Sequence, residues 1–92
     1  MEKRVGVVAI LLERKDEINR IDDILHEHSD IISARQGLPM RDKGIFIISL
    51  IVDGTTDRLG SLTGKIGRLN GVKVKSVLTD FKEVNNEGSI IC

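Results

Sequence analysis

At 92 residues the chain has room for one domain, and a domain of that size buries only about 60 to 65% of the surface its unfolded chain exposes. Hydrophobic residues at 40% and charged residues at 30% exclude a disordered chain. Fourteen basic residues offset fourteen acidic ones, and the aromatic set is Phe46 and Phe81 with no Tyr or Trp, so nucleic acid finds neither a net positive field nor stacking rings, and no direct binding to it is expected.

Val5 to Leu12 (VGVVAILL) is a continuous apolar run, too short for a globular helix and assigned to strand 1. Met1-Glu2-Lys3-Arg4 ahead of it imitates a signal peptide. The run is too short to span a bilayer, however, and Glu13-Arg14-Lys15-Asp16 follows it with no small-residue cleavage site, so a buried strand and no membrane segment are expected. Asp16 is the expected N-cap of helix 1, whose Ile18, Ile21, Ile24, Leu25 and His28 share one face. Residues 31–38 (IISARQGL) form a more polar strand 2 ending at Gly37, and Pro39 to Lys43 turns the chain.

Ile45 to Val52 (IFIISLIV) is the second continuous apolar run, strand 3, which Asp53-Gly54 is expected to stop. Thr55 or Thr56 caps helix 2, Leu59, Leu62, Ile66 and Leu69 form its apolar stripe, and Asn70-Gly71 ends it in a left-handed cap. Val72, Val74 and Val77, interleaved with Lys73, Lys75 and Ser76, make strand 4. Residues 1–79 are thus one domain. Residues 80–92 are a polar tail in which Ile90 and Ile91 are the candidates for docking. Cys92, the single cysteine, has no disulfide partner in the chain, which fits a reducing cytoplasm.

Strand, helix, strand, strand, helix, strand is the α+β, ferredoxin-like βαββαβ order: a four-stranded antiparallel sheet, order 4-1-3-2, with two helices on one face. The central positions fall to strands 1 and 3, the two apolar runs, and the edges to the strands that carry Arg35, Gln36, Lys73 and Lys75. Strands 1 and 3 offer Ser49 as their one polar side chain, although the helices can cover only one face. A homo-oligomer, dimer or tetramer, is therefore expected to cover the other.

Four features are candidates for function. Glu13, Arg14, Lys15 and Asp16 form a charged loop at a strand end, either a ligand site or an ordinary solvated turn. Gly60, Gly64, Gly67 and Gly71 recur at four, three and four residues, roughly 140° from the apolar stripe of helix 2. That flat side either lets a partner or ligand approach or is a tolerated exposed face. Gly60 to Lys65 (GSLTGK) imitates a phosphate-binding P-loop but has three residues between the glycines instead of four, and Ile66 where Ser or Thr is needed. His26 and His28 diverge by about 160° on a helix, so a capping or core role stands against a metal site shared with Cys92 of a partner chain. No nucleophile with a base, no paired carboxylates and no oxyanion arrangement has recognisable spacing, so no enzyme, no cofactor and no metal ligand is assigned.

Arg4 to Val8, Gly37-Leu38-Pro39, Gly44 to Thr56 (GIFIISLIVDGTT), Leu62 to Lys65 (LTGK) and Leu69 to Val72 (LNGV) resemble the family of iron-only hydrogenase system regulators over roughly residues 3–79. The resemblance implies a fold related to ACT domains and to the C-terminal half of the nickel-responsive repressor. It implies a cytoplasmic, non-catalytic regulatory module acting through self-association and binding of a small effector or a protein. The alternative it raises is a metal-responsive sensor without its own DNA-binding segment, since strand 1 starts too early for a ribbon-helix-helix ahead of it. The repressor's histidine and cysteine ligands have no counterparts here beyond His26, His28 and Cys92, and none is carried over.

Overall fold

The computed structural model describes residues Lys3–Thr79. Residues 80–92, including the tail with Ile90 and Ile91 and the lone Cys92, lie outside the described residues. The elements are β1 (Lys3–Leu12), α1 (Ile18–Glu27), β2 (Ile32–Met40), β3 (Ile45–Thr55), α2 (Thr56–Gly67) and β4 (Val72–Leu78). Short 3-10 turns at Lys15–Glu17 and Ser29–Ile31 flank α1. All pairings are antiparallel, in the order β2-β3-β1-β4, which is the ferredoxin-like arrangement expected from the sequence.

Strand side chains alternate between faces, and the alternation here separates a sealed face from an open one. Val8, Ile10 and Leu12 of β1 and Ile48, Leu50 and Val52 of β3 pack against Ile21 and Leu25 of α1 and Leu59, Leu62 and Ile66 of α2, all 3% exposed or less. On the other face, Val7 pairs with Ile51 on one side and Val77 on the other, while Leu38 pairs with Ile47. Val7, Ile51, Leu38 and Val77 keep 47 to 72% of their surface exposed.

Several boundaries differ from those expected. β3 runs through Asp53-Gly54 to Thr55, because Asp53 and Gly54 pair with Val5 and Arg4 of β1 and ladder bonds outweigh local turn preference. β2 starts one residue late, with Ile31 buried in a 3-10 turn, and continues past Gly37 through Pro39 to Met40. A proline is tolerated there because β2 is an edge strand. The hairpin then closes through Lys43 N–H to the Met40 carbonyl (3.1 Å) and Gly44 N–H to the Arg41 carbonyl (3.2 Å), with Gly44 at φ 69°. α2 ends at Gly67, leaving Leu69 beyond it but still packed on the core, and Asn70-Gly71 turns the chain into β4. Thr55 is the α2 cap, accepting from Arg58 N–H at 3.2 Å. Asp16 does not cap α1. Its carboxylate pairs with Arg14 at 2.8 Å inside the first 3-10 turn, and the residue at the cap position is Glu17, which makes no side-chain cap bond.

The two helices are stitched together at the C-terminal end of α1. His28 is fully buried; its Nδ1 lies 2.7 Å from the Ile24 carbonyl and its Nε2 3.1 Å from Ser61 Oγ on α2. A carbonyl only accepts, so Nδ1 carries the proton, and in the neutral ring Nε2 accepts from the Ser61 hydroxyl. Arg58 donates to the Glu27 carbonyl (2.9 Å) and to Asp30 (2.6 Å), and Lys65 reaches Glu27 at 3.4 Å. Replacing His28 with Ala strands a buried carbonyl and opens a cavity, and is expected to cost about 2 to 4 kcal/mol in urea denaturation. The hydrogen bond from Arg58 holds the Asp30 carboxyl below its ordinary value. A lowered folded value means stability that is present above the unfolded pKa and lost as pH falls through the folded one. The small stability gap between the wild type and Asp30→Asn, measured by denaturation at neutral pH, is therefore expected to close in strong acid.

Candidate functional site

A concavity bearing sequence-predicted residues lies at one end of the sheet, on the helix side. Leu12, Phe46 and Pro39 are register partners across β1, β3 and β2, so they lie side by side beneath it. Ile18 closes it from the start of α1, and the hairpin contributes Arg41, Gly44 and Ile45. Glu13, Arg14 and Lys15 come from the β1–α1 connection. The cleft holds about 590 Å³, within the size range of small-molecule sites.

The β1–α1 connection is fixed from behind. Glu13 N–H donates to the Gly71 carbonyl at 2.9 Å. Gly71 has φ 71°, and a Cβ there would fall 2.7 Å from Arg14 Cγ and 2.8 Å from Cδ, so only glycine combines this backbone with this approach. Arg14 is thereby held along its stem, and its guanidinium is bound to Asp16 at 2.8 and 3.3 Å. Lys15 and Arg41 make no ion pair among the described residues. Two cations without an ion-pair partner, one from each wall, therefore stand over an apolar floor, with Glu13 as the one carboxylate among the described residues of the lining.

Of the residues marked in the sequence, Glu13, Arg14 and Lys15 line this cleft, and Asp16 reaches it only through Arg14. Gly60, Gly64 and Gly67 lie elsewhere, on exposed positions of α2. A Cβ at Gly60 or Gly64 would meet nothing within 4 Å, and one at Gly67 would rest 3.5 Å from Val74. GSLTGK lies wholly within α2, where it has no strand-to-helix loop to cradle a phosphate. Arg41, Pro39 and Phe46 were missed in the sequence because they enter only through hairpin register; the turn from Pro39 to Lys43 marks the hairpin but not what it faces. His26 is exposed in a shallow groove with Asp22 and Arg35, which pair at 2.9 Å. No group of three or more His, Cys, Asp or Glu side chains among the described residues is placed to hold a metal ion. No helix among the described residues is long and apolar enough to cross a membrane.

This fold and cleft define a small ferredoxin-like domain with a charged corner at the end of its central strands. The family model of the TM1266-like proteins, "Iron-only hydrogenase system regulator, putative", matches residues 4–76, and the chain belongs to that family. The solved structure of the uncharacterized protein TM1266 from Thermotoga maritima is 35% identical, with a TM-score of 0.79 over 84% of this chain and 98% of that one. A formyltetrahydrofolate deformylase from Pseudomonas putida KT2440 (12% identity, TM-score 0.58, 78% of this chain, 28% of that one) and the de novo designed protein Foldit4 (15%, 0.54, 89% and 100%) share the fold alone. Comparison with curated proteins gave no match.

The glycine face separates two readings by stability. If nothing packs on it, Gly64→Ala is expected to gain about 0.5 to 1 kcal/mol by thermal or urea denaturation, through helix propensity alone. A loss instead would mean that another backbone sits against it.

Proposed function

We propose that the chain is a non-catalytic, ACT-like regulatory module of the cytoplasm, serving the iron-only hydrogenase system to which its family is assigned. It works by self-association through the open face of the sheet, as a dimer or tetramer, and by binding a small effector or a protein partner. The observation that carries the reading is the open face itself: Val7, Ile51, Leu38 and Val77, on four adjacent strands, are about half exposed or more. Val7, Ile51 and Val77 are register neighbours, and Leu38 lies beside Ile47 further along the same face, beyond the row of Gln36, Ser49, Ala9 and Lys75; apolar surface so placed on so small a domain is costly to leave in water and supplies burial that a second copy would gain. The charged corner at Glu13, Arg14 and Lys15 is the seat of the effector. A metal-responsive version of the module would have to rest on His26 and Cys92, because both ring nitrogens of His28 are engaged inside the core.

The reading is tested by solution mass. Light scattering at micromolar concentration is expected to return a multiple of the 10.2 kDa chain, and Ile51→Lys, placed at the middle of the face, is expected to return one chain with its circular dichroism unchanged. A single-chain mass for the wild type would sink the proposal.

A further inference from the structure

We infer that the cleft between the β1–α1 connection and the β2–β3 hairpin is a binding site for a small organic anion: an apolar body carrying one carboxylate or phosphate group. The inference rests on the reading of the chain as a ligand-addressed module and names the chemistry of its effector.

The charge on the cleft comes from both walls. Arg14 and Lys15 stand on the β1–α1 side and Arg41 on the hairpin side, against Glu13 alone among the described lining residues. Arg14 is already occupied by Asp16. Lys15 and Arg41 have no carboxylate partner among the described residues, so a bound anion satisfies them without breaking an existing pair. A guanidinium and an ammonium on opposite walls suit an anion held between them, since charge-assisted hydrogen bonds to carboxylate or phosphate are the strong ones.

Charge alone does not account for the floor. Leu12, Phe46 and Pro39 lie side by side at the end of the sheet; Leu12 is buried under the helix layer, Phe46 is half-buried and Pro39 is exposed. Phe46 is moreover seated over Gly37, where a Cβ would fall 3.0 Å from its ring. An aromatic ring and a proline, backed by the buried Leu12, under a cationic rim match a ligand with a flat or branched apolar body. Inorganic phosphate would use the rim and waste the floor.

The test is a thermal-shift and calorimetric panel on the full chain, with phenylacetate and phenyl phosphate as probes. Inorganic phosphate carries the charge alone, benzyl alcohol the ring alone, and phenylalanine adds an ammonium. A ligand that binds only the folded state raises Tm. At least one of the two aromatic anions is expected to raise it, with inorganic phosphate and benzyl alcohol giving no comparable shift. Arg41→Ala and Lys15→Ala, both on exposed loop positions, are each expected to weaken binding at least about tenfold with circular dichroism unchanged. The inference is overturned if neither aromatic anion shifts Tm, if benzyl alcohol or inorganic phosphate binds as well, if phenylalanine binds more tightly than phenylacetate, or if both variants bind like the wild type. Solution mass in the same samples reads the regulatory proposal separately. An oligomer that ignores every anion removes the ligand class alone; a monomer that binds phenylacetate removes the self-association and keeps the cleft.

Discussion

The pairing of β1 with β3 is the constraint on which the rest depends. Ten consecutive residues of β1 are in register with β3, from Lys3 opposite Thr55 to Leu12 opposite Phe46, and within Val5 to Leu12 and Ile45 to Val52 Ser49 is the one polar side chain on either face. A pleated sheet cannot bury both faces with two helices that lie on one of them. α1 and α2 seal Val8, Ile10, Ile48 and Leu50, and the same pairing that brings these together sets Val7 against Ile51 on the outside. The exposed patch is thus the other half of the core, produced by the same ladder.

The cleft has a related origin. Leu12, Phe46 and Pro39 stand in register at this end of the sheet, and the chain passes from β1 through the 3-10 turn at Lys15–Glu17 before α1 begins at Ile18. The sequence offers Asp16 as the cap of α1. Instead Asp16 turns to Arg14, and the corner stays open with its cations around it. Gly71 supports this from the opposite side by admitting the Arg14 stem and accepting from Glu13.

The order of elements, the two central strands and the edge strands were legible in the sequence because apolar runs and three-to-four spacing are local signals. The apolar face of α1, His28 included, followed from the same periodicity. What stayed hidden was decided by partners far along the chain. Asp53-Gly54 reads as a stop, and Pro39 reads as a turn, until their neighbours on β1 and β3 are known. Half of the candidate site, Glu13 to Lys15, was visible as a charged turn at a strand end. The other half, Pro39, Arg41 and Phe46, is some two dozen residues or more away and reaches it through strand register, which charge pattern does not encode. The bridge from His28 to Ser61 was hidden likewise, since it joins residues from two helices.

The topology also bears on how the chain comes into being. Among the described residues β1 comes first in the chain, yet its two neighbours in the sheet are β3 and β4, and β4 is the last of the described elements. Residues 6–12 cannot complete their pairing until residues 72–78 have left the ribosome. An apolar strand must therefore wait, with one hydrogen-bonding edge open, for nearly the whole domain to emerge. Contacts of such sequence separation slow folding and prolong exposure of sticky surface. For this domain the period of greatest risk is during synthesis, and the strand that most needs sheltering then is the one that ends at the centre of the finished sheet.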